Sequence, residues 1–502
     1  MKIKSIIKYI FIFLLFVLFF TVICPIVPYE GDDWYFIGSM RNIVPEIGIF
    51  NPSKVLPEIL EPLCGYFGAF VIKPITGDYV GSLSLAASIF VSAIITIMSY
   101  LFNRFITCRF KLRKYTALIY ELLFLILFFV FFKQGNANSY YGFWSKSYNC
   151  YFNYLIPGLI NACVILFMIK YDNFSLEFNN FSYLKKGLFL LVIYFSIFSS
   201  IQLNIILSSY SIVVLLFKLI NVVKKQEKIF KSFLKQNRIY FIILIMWVIA
   251  VIFDLTGVRG KTVGDGSWLT LKNIKNTIIN LSYLYRLIYK PLIFITIIGL
   301  GGIIFYSIKN KNKEYILKLV KIGSIILINI LYLIALYMKA GAGYATRVDA
   351  TWGILFYLII FIISIIIYCN KCYDFTKMVV PIILVLFTLV AFNINYPFYQ
   401  SVFDPVAAKK VDDYIINQII EADKKGDISV HVKVPKYESS GSNWPIPFNM
   451  ATWLQNTLYA HKITRNRMYI VFERDEEVKN ELLNKKYDNM FFFDFEHSKY
   501  LK

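Results

Sequence analysis

The chain has 502 residues, of which 58% are hydrophobic and 18% aromatic, and its mean hydropathy is +0.60. Apolar runs of about 17 to 25 residues recur along most of this length, and a run of that size spans a bilayer core as a helix. This composition excludes a soluble multidomain enzyme and predicts an all-α polytopic membrane protein.

The formal net charge of +22 comes from basic residues that cluster in short segments between apolar runs. These segments cover 104–114, 224–238 and 309–321. Cytoplasmic loops of membrane proteins carry such an excess of lysine and arginine. The charge is therefore a topology signal, and nucleic acid is not an expected partner.

The first apolar run, Ile6–Pro25, follows Lys2 and Lys4. No small-x-small cleavage site follows it, so we expect an uncleaved first helix over about 5–27 and not a signal peptide. Further spans are predicted at about 79–102, 115–132, 151–170, 187–200, 204–220, 239–256, 287–307, 322–338, 351–369 and 378–395. With about eleven spans, every strongly basic loop lies in the cytoplasm.

The predicted topology divides the chain into a transmembrane domain, 1–395, and an extracytoplasmic C-terminal domain, 396–502. Period-2 alternation over Ile428–Val434 and the apolar run Met468–Phe472 predict two strands in the second domain. Helical spacing of apolar residues over 404–422 completes the expectation of a small α/β domain.

An acidic motif, Glu30-Gly31-Asp32-Asp33-Trp34, follows the first helix and opens the outer loop 28–78. Ionisable groups at a membrane edge are costly unless they face a cavity, a partner or bulk solvent. A solvated loop start is the simplest interpretation. The alternative is catalytic, because a sugar hydroxyl is a weak nucleophile until a carboxylate such as Asp32 or Asp33 accepts its proton.

The same outer loop contains two moderately apolar pieces, Ile43–Phe50 and Leu63–Val71. We expect them to lie at the membrane surface as short amphipathic helices.

Three basic residues in later outer loops, Arg259, Lys261 and Arg347, are candidates for binding the phosphate of a lipid-linked donor. The planar guanidinium pairs with two phosphate oxygens and keeps its charge on burial. The alternative is that these side chains are anchors that extend to the lipid head groups.

An aromatic and amide-rich stretch contains Trp144, Lys146, Tyr148 and Asn149. Sugar rings stack on aromatic faces and their hydroxyls bind amides, so these residues, with Trp34, are candidates for sugar binding. An interfacial aromatic belt explains the tryptophan and the tyrosines equally well.

The order of these motifs resembles the GT-C superfamily of membrane glycosyltransferases, and more closely a bacterial family of uncharacterised membrane proteins. The resemblance rests on Gly31-Asp32-Asp33-Trp34, Phe143-Trp144-Ser-x-Ser-Tyr-x-x-Tyr151 with Tyr154-Leu-x-Pro157, Gly257-Val-Arg259, and Arg347 before a late helix.

The resemblance implies a GT-C-like fold and a metal-optional, inverting transfer of a sugar from polyprenyl phosphate at the outer face of the cytoplasmic membrane. A loop-one aspartate acts as the general base in such enzymes, which maps onto Asp32 or Asp33. The implied partners are a lipid-linked sugar donor, a glycan or lipid-linked acceptor, and membrane lipids. No cofactor is certain, no metal ligands are assigned, and a divalent metal is left open.

Two other functions stay open at this point: a transporter or flippase of lipid-linked saccharides, and a non-catalytic protein of envelope assembly. A transporter requires charged residues deep inside its helices, whereas the charges here concentrate at helix ends. A scaffold gives the acidic motif no evident purpose.

Overall fold

The computed structural model describes residues 3–28, 30–133, 141–224, 230–262, 270–374, 376–392, 405–436, 445–446 and 449–483. Within these ranges, eight helices are long and apolar enough to cross a membrane. They are Ser5–Ile23, Pro57–Thr76, Tyr79–Phe110, Tyr148–Ile169, Arg238–Thr256, Lys290–Lys309, Glu314–Ala340 and Trp352–Cys372. The prediction of a multi-pass helical membrane protein is confirmed, whereas the count of eleven spans stays a prediction.

All regular elements in the first half of the described chain are helices. Its helices are α1 (Ile3–Leu18), α2 (Gly31–Gly38), α3 (Pro57–Phe67), α4 (Lys73–Thr76), α5 (Tyr79–Phe110), α6 (Lys114–Val130), α7 (Tyr148–Cys150), α8 (Ile156–Ile169), α9 (Phe174–Asn180), α10 (Tyr183–Ile197), α11 (Ile205–Lys224), α12 (Phe230–Gln236) and α13 (Arg238–Thr256). π-helical turns extend α1 and join α3 to α4 and α7 to α8, over Phe19–Ile23, Gly68–Ile72 and Tyr151–Leu155.

The second half adds more helices and the sheet. Its elements are α14 (Val258–Thr262), α15 (Leu271–Arg286), α16 (Lys290–Lys309), α17 (Glu314–Ala340), a 3-10 turn (Ala342–Thr346), α18 (Trp352–Cys372), α19 (Thr376–Phe392), α20 (Pro405–Lys425), β1 (Ser429–Pro435), α21 (Met450–Ala460), β2 (Tyr469–Asp475) and α22 (Glu476–Leu483). The amphipathic helix α15 was not predicted, because its sequence lacks a long apolar run.

The two ends of the helix bundle differ in charge. Lys8, near the start of α1, pairs with Glu121 of α6 at 2.6 Å. Near the other end of α1, the Ser88 hydroxyl of α5 donates to the Phe20 carbonyl at 2.8 Å. Tyr9, early in α1, lies against Tyr100, late in α5, with their ring centres 5.4 Å apart, so helices α1 and α5 run antiparallel. We call the end that holds Lys8 the basic end, and the end that holds α2 the acidic end.

The segment Pro57–Thr76 is one nearly continuous helix and not the short surface helix predicted over Leu63–Val71. The Thr76 hydroxyl bonds to Ser82 in the first turn of α5 at 2.8 Å, and α3 also contacts α2. Both ends of this helix thus lie at the acidic end of the bundle. The other predicted surface helix, Ile43–Phe50, is an irregular loop.

The outer helices of the bundle expose apolar side chains. Only 17% of the apolar stretch in α16 is buried, against 89% in α18, and Phe294 and Ile308 of α16 are 68% and 73% exposed. Such a surface is untenable in water but matches lipid tails. Helix α18 therefore forms the centre of the bundle, and α16 lies at its periphery.

The C-terminal segment contains a parallel pair of strands, β1 and β2, in register from Ser429–Tyr469 to Pro435–Asp475. Both predicted strands are present, each beginning one residue later than predicted, and β2 ends three residues further along, at Asp475. A parallel pair requires a crossover, which includes α21. The parts 396–404, 437–444, 447–448 and 484–502 of the predicted domain lie outside the described residues, and its extracytoplasmic location stays a prediction.

Helix α21 packs directly against α2. The Thr457 hydroxyl donates to the Trp34 carbonyl, and the Tyr79 hydroxyl bonds to His461 Nδ1 at 2.7 Å. Lys409 of α20 pairs with Asp78 at 3.0 Å. The C-terminal segment therefore forms one face of the surroundings of the acidic motif.

We expect Gly38→Ala to loosen this contact, because a Cβ at Gly38 would lie 2.8 Å from the Thr457 Cα. Overpacking of this kind costs about 1–3 kcal/mol. Thermal unfolding of the purified protein in detergent measures the loss. The matched control is Gly301→Ala, whose Cβ meets nothing within 4 Å. Equal stability of the two variants would contradict a close packing of α2 on α21.

Candidate functional site

The acidic motif forms the first turn of α2. The Glu30 backbone N–H donates to Asp33 Oδ2 at 2.8 Å, and the Glu30 side chain accepts from the backbone of Asp33, which completes a capping box. Carboxylates in the first turn also interact favourably with the positive end of the helix dipole. The sequence thus folds locally around its own acids.

Asp33 also links α2 to the helix that begins at Tyr148. Its Oδ1 accepts from the Asn149 backbone N–H at 2.7 Å, and its side chain is completely buried. Both carboxylate oxygens are therefore bound by backbone donors from two different segments. Asp33 is placed as a structural link.

Asp32 has a different environment. It is half-buried, and its Oδ2 accepts from the Asn149 side-chain amide at 3.1 Å. The carboxylate therefore keeps contact with the space outside the core. One amide residue, Asn149, thus holds both aspartates.

Burial is the largest influence on both aspartates and raises their pKa values. The charge of Glu30 raises the pKa of Asp32 further, and the charges of Asp32 and Glu30 do the same for Asp33, against the opposing hydrogen bonds from Asn149. Adjacent carboxylates in one site resist simultaneous ionisation. The pair is thus disposed to hold a proton.

Two further buried acids surround this pair and were not predicted. Glu61 of α3 is completely buried, and neither of its carboxylate oxygens has a hydrogen-bond partner among the residues that the structure describes. Asp412 of α20 is 4% exposed, and its Oδ2 also lacks a partner. The negative charge of Asp33 repels the carboxylates of both Glu61 and Asp412. Four carboxyl groups from α2, α3 and α20 thus converge.

A small cavity of about 90 Å³ lies on the cationic side of the site. Lys54 and Arg259 both line it. Lys54 is 8% exposed, and burial, with the nearby charge of Arg259, lowers its pKa to about 7. Lys54 was not predicted as a site residue, because a single lysine in a long loop carries no recognisable pattern.

The loop that carries Lys54 is fixed on both sides. Ser53 donates to Asp254 of α13, through its hydroxyl at 2.5 Å and its backbone N–H at 3.3 Å. The Asn51 side chain donates to Glu58 of α3 at 2.8 Å. These bonds hold Lys54 at the cavity, where its ammonium group is largely removed from water.

The motif Gly257-Val-Arg259 positions the second cation. A Cβ at Gly257 would lie 2.5 Å from the ring of Pro52, so only glycine lets the two segments approach. The Val258 backbone N–H donates to the Ile49 carbonyl at 3.1 Å. The Arg259 guanidinium donates to two neutral groups, the Asn51 side-chain oxygen at 3.3 Å and the Tyr344 hydroxyl at 3.0 Å.

Arg347 lies nearby, but a carboxylate already balances its charge. It makes a bidentate ion pair with the buried Asp349, at 3.0 and 2.7 Å. The Ser145 hydroxyl donates to the same carboxylate at 2.7 Å. The prediction that Arg347 holds the donor phosphate is weakened, because the pair has little net charge. Asp349 stands two residues after Arg347, so this pairing was visible in the sequence.

One aromatic ring joins the cationic groups to the acidic side. Lys54 and Arg347 lie 5.7 Å and 4.6 Å from the centre of the Tyr154 ring, within the range of cation–π contact. Tyr154 belongs to the π-helical turn that follows Asn149. The turn thus contacts the aspartates at its start and the cations at its end.

Several residues predicted to bind sugar have no free surface for it. Trp34, Trp144 and Tyr148 are at most 2% exposed, so stacking on a sugar does not fit their positions. The Asn149 amide is occupied by Asp32 and Asn153. Their aromatic pattern reports core packing, which a sequence window cannot distinguish from a ligand platform.

The two lysines that were predicted as site residues lie in different environments. Lys146 is half-buried and pairs with Glu30 at 2.7 Å, so it belongs to the acidic cluster. Lys261 is exposed and does not line the cavity that contains Arg259. The structure therefore does not bring Lys261 into the candidate site, which agrees with the alternative that it is a surface anchor.

Comparison with known proteins gives no match, whether to a family model, a curated protein or a solved structure. The chemistry of the site must therefore be inferred from its own geometry. Within the described ranges, no group of three or more His, Cys, Asp and Glu side chains is arranged to hold a metal ion. The arrangement places the half-buried carboxylate of Asp32 at the same end of the bundle as a cavity that is lined by Lys54, Arg259 and the carboxylate of Asp254.

We expect Asp33→Asn to destabilise the protein more than Asp32→Asn. The amide accepts at one oxygen only and directs its NH₂ at a backbone donor, and a buried unsatisfied donor costs about 1–3 kcal/mol. Asp32 accepts one side-chain bond and is partly exposed, so its variant is better tolerated. Thermal unfolding in detergent distinguishes them, and an equal loss would contradict the structural role of Asp33.

The pH dependence of stability provides a second test of the acidic pair. A raised pKa means that the folded state holds the proton more tightly than the unfolded chain does. Stability is therefore greatest below the ordinary aspartate pKa, about 3.9, and falls as the pH rises through the folded values. Asp32→Asn should reduce this fall, whereas Asp427→Asn, at an exposed aspartate, should not.

Proposed function

We propose that the chain is a GT-C-type membrane glycosyltransferase that moves a sugar from a polyprenyl phosphate donor to a cell-surface glycan or a lipid-linked acceptor. One observation carries the proposal. The half-buried Asp32 and the buried Asp33 contact Asn149, and the buried Lys54 contacts Tyr154 of the same segment, at one end of an apolar helix bundle. A base and a phosphate-binding group are the two functions that such a transfer requires.

Asp32 is the proposed general base. Its carboxylate is partly exposed, whereas Asp33 is enclosed and bound at both oxygens. A raised pKa brings a carboxylate closer to the operating pH, where general-base catalysis is most efficient. Asp32 takes the proton of the acceptor hydroxyl as the oxygen bonds to the anomeric carbon. Asp33, through Asn149, positions it.

Lys54 and Arg259 are the proposed phosphate-binding groups. The bond between the anomeric carbon and the phosphate oxygen breaks, and the polyprenyl phosphate leaves with the electron pair. Fixed cations stabilise the charge that develops on this oxygen. The cavity also presents apolar side chains from α13 and α17, including Leu255 and Leu336, which suit a lipid chain.

The location of the buried acids favours a transferase over a flippase. Asp32, Asp33, Glu61 and Asp412 all lie at the acidic end, together with Lys54 and Arg259. A flippase moves a charged head group through the bundle and needs polar groups along that path. Clustering at one end fits chemistry at a membrane surface.

We expect Asp32→Asn to reduce sugar transfer by about 10²–10⁴-fold, the usual contribution of a general base. Purified protein is assayed with a radiolabelled polyprenyl-phosphate hexose, and binding of the donor should be unchanged. The control is Asp427→Asn, which makes the same change at an exposed position. Full transfer by Asp32→Asn would contradict the assignment of the base.

We expect polyprenyl phosphate to bind more weakly as the pH rises through about 7, since Lys54 loses its charge there. The loss should be about tenfold, typical of one charged hydrogen bond. Fluorescence titration measures it. In Lys54→Arg this step should disappear, because arginine stays protonated, while the titration of the ligand itself is common to both proteins.

The matched control for Lys54 is Lys261→Gln. Lys261 is exposed and does not line the cavity, so this variant should bind polyprenyl phosphate as the unaltered chain does. A loss of affinity with Lys261→Gln, and none with Lys54→Gln, would restore the sequence-based assignment and contradict the cavity.

A further inference from the structure

A second, larger cavity of about 390 Å³ lies at the basic end of the bundle, opposite the acidic site. Its wall is built from α5, α8, α11, α13, α17 and α18 and from the turn before α9. Nothing in the proposed transfer uses it. Its lining includes residues of the basic segments 104–114 and 309–321, and Tyr240, which follows the basic segment 224–238.

The wall of this cavity is strongly positive. It carries five cationic side chains and one acid, a net charge of +4; these residues are Arg109, Lys218, Lys318, Lys321, Lys371 and Asp172. Arg109 pairs with Asp172, and Lys318 pairs with Glu314 at 2.5 Å. Two of the five cations are thus neutralised locally.

The other three lysines contact neutral groups. Lys218 donates to the side-chain oxygens of Asn173 and Asn237, at 3.1 and 2.7 Å. Lys321 lies 5.1 Å from the Phe217 ring, and Lys371 lies 5.4 Å from the Phe110 ring. None of the three has a carboxylate within 4.0 Å in the described part of the chain.

Three unneutralised lysines around one cavity repel each other, and low-dielectric walls strengthen that repulsion. The same walls concentrate the positive potential inside the cavity and favour an anion there. Topology alone explains why lysines lie at this end. It does not explain why three of them, from α11, α17 and α18, line one cavity, in which Lys218 is half-buried while Lys321 and Lys371 are also exposed to solvent.

Most of the remaining side chains that line the cavity are apolar or aromatic. They include Ile165 of α8, Val213 of α11, Ile325 of α17 and Phe356 of α18. A small hydrophilic anion would leave these side chains without a partner. An amphiphile satisfies both kinds of lining, with its charge among the lysines and its chains against the apolar side chains.

We propose that this cavity binds the phosphate headgroup of an anionic phospholipid. Basic pockets between membrane helices are suited to such head groups. The phosphodiester of such a lipid carries one negative charge on two non-bridging oxygens, and lysine ammonium groups can reach these oxygens from different directions as point charges. This site is independent of the proposed sugar transfer.

The test compares two triple variants of the full chain. Lys218→Gln/Lys321→Gln/Lys371→Gln removes the unneutralised cations of the cavity. The control, Lys309→Gln/Lys311→Gln/Lys313→Gln, removes the same charge from exposed residues outside its lining. Each protein is titrated in neutral detergent with phosphatidylglycerol or with phosphatidylcholine, and the bound lipid is counted by native mass spectrometry.

We expect phosphatidylglycerol to bind the unaltered chain and the control alike, and the cavity variant roughly 100-fold more weakly. Phosphatidylcholine should show no such difference. An equal loss in both variants would mean attraction by overall charge and would overturn the proposal, as would unchanged binding by the cavity variant.

A competition experiment distinguishes binding of the lipid from binding of free phosphate. Inorganic phosphate at millimolar concentration should not displace the lipid; displacement would overturn the assignment of an amphiphile. Folding is checked by thermal unfolding in neutral detergent, where removal of the mutual repulsion should leave the cavity variant as stable as the control. If the triple variant unfolds, Lys321→Gln alone provides the same comparison with a smaller loss of affinity.

Discussion

The carboxylate of Asp33 is the contact on which the acidic end of the molecule depends. A completely buried carboxylate is costly unless hydrogen bonds compensate its lost hydration. Here the backbone N–H groups of Glu30 and Asn149 supply them, at 2.8 and 2.7 Å. These donors belong to the start of α2 and to the helix that begins at Tyr148. Because the buried carboxylate needs both hydrogen bonds, the two segments must meet in a defined geometry.

That junction determines where the opposite charges of the site stand. The turn that begins at Asn149 continues to Tyr154, whose ring lies near Lys54 and Arg347. On its far side, Gly257 allows the Lys54 loop to approach Arg259. Lys54 contacts this segment through the Tyr154 ring, whereas Asp32 contacts it through Asn149, so this lysine and this carboxylate lie at different ends of the segment. Direct pairing would have neutralised both, as it does for Arg347 and Asp349.

Much of the fold could be predicted from the sequence, because each apolar run is a local signal. Every predicted span overlaps a helix, including those near 115–132 and 187–200 that are short for a membrane crossing. The site was less accessible. Asp32, Asp33 and Arg259 carried recognisable motifs, whereas Glu61 and Asp412 acquire meaning only through tertiary packing around Asp33. Burial also cannot be read from a window, which is why Trp34 and Trp144 suggested a sugar platform.

The two adjacent aspartates illustrate what packing adds to a motif. In sequence they are equivalent carboxylates at the start of a helix. Consecutive helical residues point about 100° apart, so when one faces the core the other cannot follow it. Asp33 takes the inward direction and is bound at both oxygens, which leaves Asp32 partly exposed beside the same Asn149 amide. The buried residue fixes the geometry through its two backbone hydrogen bonds, whereas burial and the charge of Glu30 raise the pKa of its partly exposed neighbour. A single carboxylate at this position would have to be either fixed by hydrogen bonds or accessible to solvent. With two adjacent aspartates, Asp33 is fixed and Asp32 is accessible.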